Sequence, residues 1–261
     1  HTSRMRDSEV ALLLVAVAIG AAVAAVTCLT GQALEWFRTL LFGPLPEGHL
    51  SSAMIADPIR ILAVPIVGSL LYGFLAYGER RWRGRDVVDP IEANALYGGK
   101  MSLRDSLAIG VMTLFSAGIG ASVGMEAAYT QLGSGVASQA GQGLRFRRKD
   151  LRTLVGCGAA AAIAAAFNAP LAGSFYAFEL VIGAYSLSTL APVGMASVTA
   201  AVVGRTFFGL EPLIGVPDQM PPGNVDFLYF AVIGVAAALV GVAAMRSVTA
   251  IETLLQKSKL P

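Results

Sequence analysis

"GAAAAIAAAFNAPLAGSFYAFEL", Gly158 to Leu180, is an apolar run with a break at Asn168, Ala169 and Pro170 and a single carboxylate, Glu179. Before the break, Leu151 to Phe167 reads as an alanine-rich helix. After it, a second helical piece runs from Leu171 to about Ser186. A proline has no N–H and turns its predecessor away from helical geometry, so the two pieces are separate helices. Several pieces of this chain are shorter than the roughly 20 residues a bilayer demands. Irregular backbone at membrane depth persists only where protein or a water-filled site surrounds it, so broken helices point to transport. The alternative is a multi-span bundle that uses its glycine and proline kinks for packing. The small residues of "GCGAAAAIAAA", Gly156 to Ala166, read as close helix packing rather than ligand contact.

Composition agrees with a membrane setting. Of 261 residues, 55% are hydrophobic and only 14% charged, with a mean hydropathy of +0.66. A soluble domain carries about 25% charged residues. A net charge of +2, with no basic run interleaved with aromatics, argues against nucleic acid. Cys28 and Cys157 both lie in apolar segments and read as buried, reduced thiols without a disulfide. The two histidines, His1 and His49, have no second ligand nearby, so no metal site is expected. No nucleophile–base pair, phosphate loop or dinucleotide glycine pattern is present, so the chain does not read as an enzyme. Residues 1–4 are set aside as a candidate tag remnant, and the first apolar run is too long for a signal peptide.

Val10 to Leu29 is almost wholly apolar and continues helically to Phe42, as a long tilted span. Gly43, Pro44 and Pro46 end it in an external loop. A second span runs from about Ser52 to Gly78 and contains Pro58 and Pro65, which membrane helices tolerate. Arg4 and Arg6 precede the first span, and Arg80, Arg81, Arg83 and Arg85 follow the second. Arg145, Arg147, Arg148, Lys149 and Arg152 form a third cluster, with Lys257 and Lys259 a weaker fourth. These clusters read as topology and place the N-terminus in the cytoplasm. Asp89 to Gly99 is a short helical piece with Asp89 as N-cap and Pro90 at the first helical position. Ser102 to Gly120, Glu126 to Leu144, Pro192 to Phe208 and Asp226 to Lys257 complete the helical pieces.

Within "GASVGMEAAYTQ", Gly120 to Gln131, Glu126 is the only residue ionisable at neutral pH between Asp105 and Arg145. A carboxylate in hydrocarbon costs about 2.5–3.5 kcal/mol on insertion scales, so it is neutral, paired or facing a cavity. It stands in the first turn of a helix, where free N–H groups and the dipole favour negative charge. Gly120 and Gly124 let those amides approach a small ligand. Two readings stay open: a tethered anion that competes with an external one, or an acid satisfied by its own helix. Glu179 likewise reads as a proton relay, a polar contact between helices, or an interfacial acid satisfied by Tyr176 or a helix end.

These features together resemble the CLC family of chloride channels and chloride/proton antiporters. Gly158 to Leu180 is similar to that family's run Gly-Ala-Ala-x-Gly-Φ-Ala-Ala-Ala-Phe-x-Ala-Pro-Φ-x-Gly (Φ, apolar), which an acidic pair follows. "GMEAA", Gly124 to Ala128, falls where the family has Gly-Lys/Arg-Glu-Gly-Pro, whose glutamate is the external gate. The resemblance thus implies gating by Glu126. Met125, Ala127 and Ala128 replace the basic residue and the Gly-Pro pair. "DPIEANAL" falls at the family's first anion loop, Gly-Ser-Gly-x-Pro, and Val87 occupies the place of the anion-coordinating serine. The implied anion-binding set is Gly124, Met125, Glu126, Ala127, Val87 and Val88. Glu179 matches the first acid of the pair, and Leu180 replaces the proton-receiving second, which favours uncoupled conduction unless Glu179 substitutes.

The expected fold is an all-α integral membrane bundle of tilted and broken helices, comprising the first inverted repeat and the start of the second. Residues 1–8 form a cytoplasmic tail, 9–210 the first repeat, 211–225 a loop and 226–261 the first helix of the second repeat. The remainder of the family fold, including its Gly-x-Phe-x-Pro helix start, is expected outside this chain. The implied function is permeation of chloride or another small anion through a glutamate-gated path, without cofactors. The implied setting is a homodimer in a prokaryotic inner membrane, its partners being the lipid bilayer and a small inorganic anion. Rival readings are a proton-coupled chloride or fluoride antiporter and a non-transporting scaffold or sensor.

Overall fold

The computed structural model describes residues 2–43, 58–83, 87–210 and 223–257, and every regular element among them is helical. The helices are α1 (Thr2–Phe42), α2 (Pro58–Arg83), α3 (Pro90–Ala95), α4 (Leu103–Gly118), α5 (Glu126–Gly143), α6 (Arg148–Phe167), α7 (Pro170–Tyr176), α8 (Leu187–Phe208) and α9 (Asn224–Lys257). A π-helical turn, Ala177–Ile182, continues α7. The chain divides into two units, His1–Leu213 and Ile214–Pro261. The first holds α1 to α8 and the second holds α9.

Among the described residues, five stretches are long and apolar enough to cross a membrane: Glu9–Phe42, Pro58–Glu79, Arg148–Phe167, Leu187–Phe208 and Val225–Leu254. The others fall short. At 1.5 Å per residue, α7 and its π-helical turn extend only about 20 Å, against a hydrocarbon core of about 30 Å.

The break between α6 and α7 has a simple local cause. Asn168 caps α6 in the left-handed conformation, with φ at 52°, and Pro170 opens α7 at its first turn. Asparagine is among the few residues that tolerate this geometry, and proline loses nothing where an N–H would be unpaired anyway. Arg205 of α8 steadies the corner by donating its Nε to Asn168 Oδ1.

Helix α6 is the centre of the first unit, with its residues from Leu151 to Ala165 almost all buried. Helices α1, α5, α7 and α8 pack around it. It crosses α5 antiparallel with backbone against backbone. A Cβ at Gly133 would stand 2.5 Å from the Gly158 carbonyl oxygen and 3.0 Å from Ala162 Cβ. The glycine–alanine stretch therefore works as a packing seam. Both thiols, Cys28 and Cys157, are free and buried.

The buried face of α5 is polar, and each group on it that follows is bonded, as burial requires. Ser134 donates to the Val155 carbonyl at 3.1 Å. Ser138 donates to Gly99 O at 2.7 Å and accepts from Met101 N at 2.9 Å. Past the buried stretch, the exposed Gln142 donates to Met101 O at 3.2 Å. Asn94 of α3 donates to the carbonyls of Arg152 and Val181, both at 3.1 Å. These bonds fasten the short helix α3 and its turn to the long ones.

Some boundaries differ from the sequence reading. Helix α1 runs back to Thr2, through the stretch read as a tail. Helix α2 continues past Gly78 to Arg83. Helix α8 starts at Leu187 and takes Pro192 inside it, the tolerance that lipid-embedded helices show when neighbours satisfy the freed carbonyl. The π-helical turn ends at Gly183, whose φ of 71° stops the helix before Ser186. Pro44, Pro46, His49, Ser52, Arg85, the stretch 211–222 and Lys259 lie outside the described residues.

Candidate functional site

Gly120, at φ +96°, takes the chain out of α4, and a short irregular loop leads to Glu126. Met125 is the N-cap residue of α5 and supplies no side-chain cap. The Tyr129 N–H is bonded to Met125 O at 2.9 Å. The N–H groups of Glu126, Ala127 and Ala128 precede that bond, so no helical carbonyl is available to them. Gly124, Glu126 and Ala127 are exposed and Met125 is half-buried, so this amide end is open.

The Glu126 side chain does not point away from that end. It folds back over the loop, so that a Cβ on Gly124 would collide with Oε2 and lie 2.9 Å from Cδ. Only a residue without a side chain lets the carboxylate take this position. Among the described residues its carboxylate has no hydrogen-bond or ion-pair partner. The acid is therefore not hydrogen-bonded by its own helix, although it stands in that helix's first turn. One turn on, Tyr129 feels the charges of Glu126, Glu35 and Arg38. It lines a cavity of about 510 Å³ with Thr27, Gln32 and Glu35 of α1.

Val87 and Val88 form the non-helical lead into α3, where Asp89 caps by accepting from Glu92 N at 2.7 Å and Pro90 is the first helical residue. Gln131 of α5 reaches this lead and donates Nε2 to Val88 O at 3.1 Å. It lies five residues after Glu126, about 7.5 Å along the helix axis. The structure thus brings Val88 beside the Glu126 helix but presents a carbonyl there that is already used. Gln131 was missed in the sequence. The signal that could have found it is the run Gln131, Ser134, Ser138 and Gln142, polar residues at helical spacing in an apolar chain.

Glu179 is not part of the same site. It lies in the π-helical turn, next to Val181 and Ile182, which contact the first half of α6. Because α5 and α6 are antiparallel, that is the opposite end of α5 from Glu126. Its partner is not Tyr176: Tyr185, six residues on, donates its hydroxyl to Glu179 Oε1 at 2.9 Å. The rings of Phe178 and Tyr185 pack at 5.4 Å, which holds the tyrosine over the turn. Hydrogen bonding to the carboxylate, followed by desolvation and then by the carboxylate's charge, raises the Tyr185 phenol above its ordinary value. Leu180 is exposed beside it.

Residues 63–261 match the family model described as voltage gated chloride channel. The chain belongs to this family. Its curated relatives include a ClcB-like chloride channel protein of Ralstonia nicotianae, 34% identical over 235 residues, 88% of this chain and 54% of that protein. The voltage-gated ClC-type chloride channel ClcB of Yersinia pseudotuberculosis is 29% identical over 234 residues, 88% of this chain and 56% of that one. The chain spans about half the length of the curated relatives it matches. Among solved structures, a CLC-type fluoride/proton antiporter is 30% identical, with a TM-score of 0.59 over 89% of this chain and 55% of that one. A slow cyanobacterial chloride/proton antiporter shares the fold at a TM-score of 0.68 and 19% identity, over 96% of this chain and 59% of that one. The chain is an all-α integral membrane protein with the CLC fold, of which it holds a part.

Proposed function

We infer that the protein to which this chain belongs carries small anions across a membrane, with the N-terminus of α5 as part of the path and Glu126 as its gate. One observation carries this reading: an exposed, unpartnered carboxylate folded over a glycine at an open helix N-terminus. Such an end attracts anions through its N–H groups and its dipole. A tethered carboxylate that reaches it competes with a free anion and leaves when protonated. Gly124, Met125 and Ala127 supply the backbone around it. Val87 and Val88 contribute shape rather than a hydroxyl, and Gln131 holds them in place. The reading makes this a transporter and not an enzyme, with chloride-type anions as substrate and no cofactor.

The proposed setting is a bacterial inner membrane with the N-terminus in the cytoplasm, supported by the basic clusters and the bacterial relatives. A homodimer is proposed through α7 and α8. The exposed row Leu190, Met195, Val198 and Val202 along α8 supplies a face for it. Uncoupled or weakly coupled conduction is the first reading, because Leu180 offers no proton. Proton-coupled exchange of chloride or fluoride is the second, favoured by the 30% identical fluoride/proton antiporter and by the Glu179–Tyr185 pair as an alternative inner acid. Liposomes holding the full-length natural protein separate the two: anion efflux recorded with external pH either moves protons or does not.

A further inference from the structure

The two sides of the α6 N-terminus offer a second place for a negative group, remote from Glu126. Between the start of α6 and the turn into α8 lies a cavity of about 360 Å³. Three cations, Arg148, Lys149 and Arg152, line it together with the hydroxyl residues Thr153, Ser186 and Thr189. The cations are not equally free. Arg148 Nη2 donates to the Leu96 carbonyl at 3.4 Å, whereas no ion pair involves Lys149 or Arg152 among the described residues. Opposite them the hydroxyls are held in a fixed set: Ser186 Oγ and Thr189 Oγ1 are 2.9 Å apart, and Thr189 Oγ1 donates to Ser186 O at 3.0 Å.

The carboxylates nearby do not fill this cavity. Asp150 and Glu9 line a separate, adjoining one of about 390 Å³, which shares Lys149 and Thr153 with it. Glu179 is bonded to Tyr185. The rim is apolar, with Ile182 in the wall and Tyr185 and Leu187 exposed beside Ser186, Leu187 at 91%. Two free cations and a hydroxyl pair facing one space suit a phosphate group. Exposed apolar residues at the same edge suit the acyl chains that a phospholipid phosphate carries. Basic pockets between helices at a membrane surface are the places where anionic headgroups settle.

We propose that the cavity between the α6 N-terminus and the Ser186–Thr189 turn is a binding site for the phosphate headgroup of an anionic phospholipid. Lys149 and Arg152 hold the phosphate oxygens, Ser186 and Thr189 order the floor, and Tyr185 and Leu187 flank the chains. The site does not depend on the anion path proposed above, since it lies at the opposite end of α5.

The test is native mass spectrometry of the full-length protein in detergent, titrated with phosphatidylglycerol, with phosphatidylcholine as the uncharged comparison and inorganic phosphate as competitor. The expected result is at least tenfold preference for phosphatidylglycerol. The double variant K149Q/R152Q loses that preference, while R145Q/R147Q, which removes two charges outside the cavity, keeps it. Should K149Q/R152Q fail to fold, Ile182→Trp fills the cavity without touching a charge and is expected to lose the lipid as well. Displacement of phosphatidylglycerol by millimolar inorganic phosphate would make free phosphate the ligand of the same site; no displacement makes it the lipid. Equal loss in R145Q/R147Q, or retention in I182W, overturns the proposal in favour of diffuse surface charge.

Discussion

Adding one methyl group at Gly158 tests the seam that positions α5 and hence Glu126. A Cβ there would stand 2.7 Å from the Gly133 carbonyl carbon and 2.8 Å from Ala137 Cβ. Ordinary contact begins near 3.4 Å, so the two helices must part by about 0.7 Å or more at their closest point. Both neighbours are backbone or Cβ atoms, and neither can rotate away. Overpacking of this kind costs about 1–3 kcal/mol. Replacing a mid-helix glycine by alanine returns up to about 1 kcal/mol. The expected net effect of Gly158→Ala is a destabilisation of up to about 2 kcal/mol, or as much as roughly 8 °C in midpoint for a domain of this size. Gly73→Ala in α2 is the comparison, because nothing lies within 4 Å of its added Cβ. It keeps only the helix-propensity gain and is expected to raise the midpoint. Thermal unfolding of the detergent-solubilised protein, followed by the far-ultraviolet helix signal, reads both. Equal rises in G158A and G73A would refute the seam.

Three more expectations rest on single contacts. Asn94→Leu leaves the buried Val181 carbonyl without its donor, at about 1–3 kcal/mol, and removes the part-buried bond to Arg152 O, so the unfolding midpoint falls. Asn168→Ala puts an alanine at φ 52° and removes the Arg205 partner, for a loss of about 1–2 kcal/mol, whereas Asn168→Gly keeps the turn and loses less. Tyr185 is raised by its bond to Glu179, so that bond is fully present below the ordinary tyrosine range and is lost only as pH climbs through the raised value. The difference titration between wild type and Tyr185→Phe is therefore expected to place this phenol above free tyrosine, and Glu179→Ala to bring it back.

The sequence carries the broken architecture wherever the break is a local matter. Asn168 and Pro170 fix the corner between α6 and α7 by backbone chemistry alone, and Asp89 with Pro90 starts α3 in the same way. The start of α5 at Glu126 was legible too, because glycines leave an exposed loop before it. Three things were not legible. A π-helical turn has no composition that separates it from an α-helix, so the winding of Ala177–Ile182 could not be read. The partner of Glu179 was sought on its own helix at Tyr176, but the chain reverses at Gly183 and delivers Tyr185. Gln131, Ser138 and Asn94 meet carbonyls 39 to 87 residues away, and periodicity gives only the face on which they lie.

The path at Glu126 is open to a single decisive experiment. Liposomes loaded with chloride and holding the full-length natural protein are compared with those holding Glu126→Gln, recording efflux across a series of external pH values. Glutamine keeps the size of the side chain and the glycine that accommodates it but cannot titrate. The account predicts efflux that rises as external pH falls in the natural protein and a flat profile in E126Q. A pH profile that is the same in both would contradict it, and Glu126 would then be an exposed acid with no part in the gate.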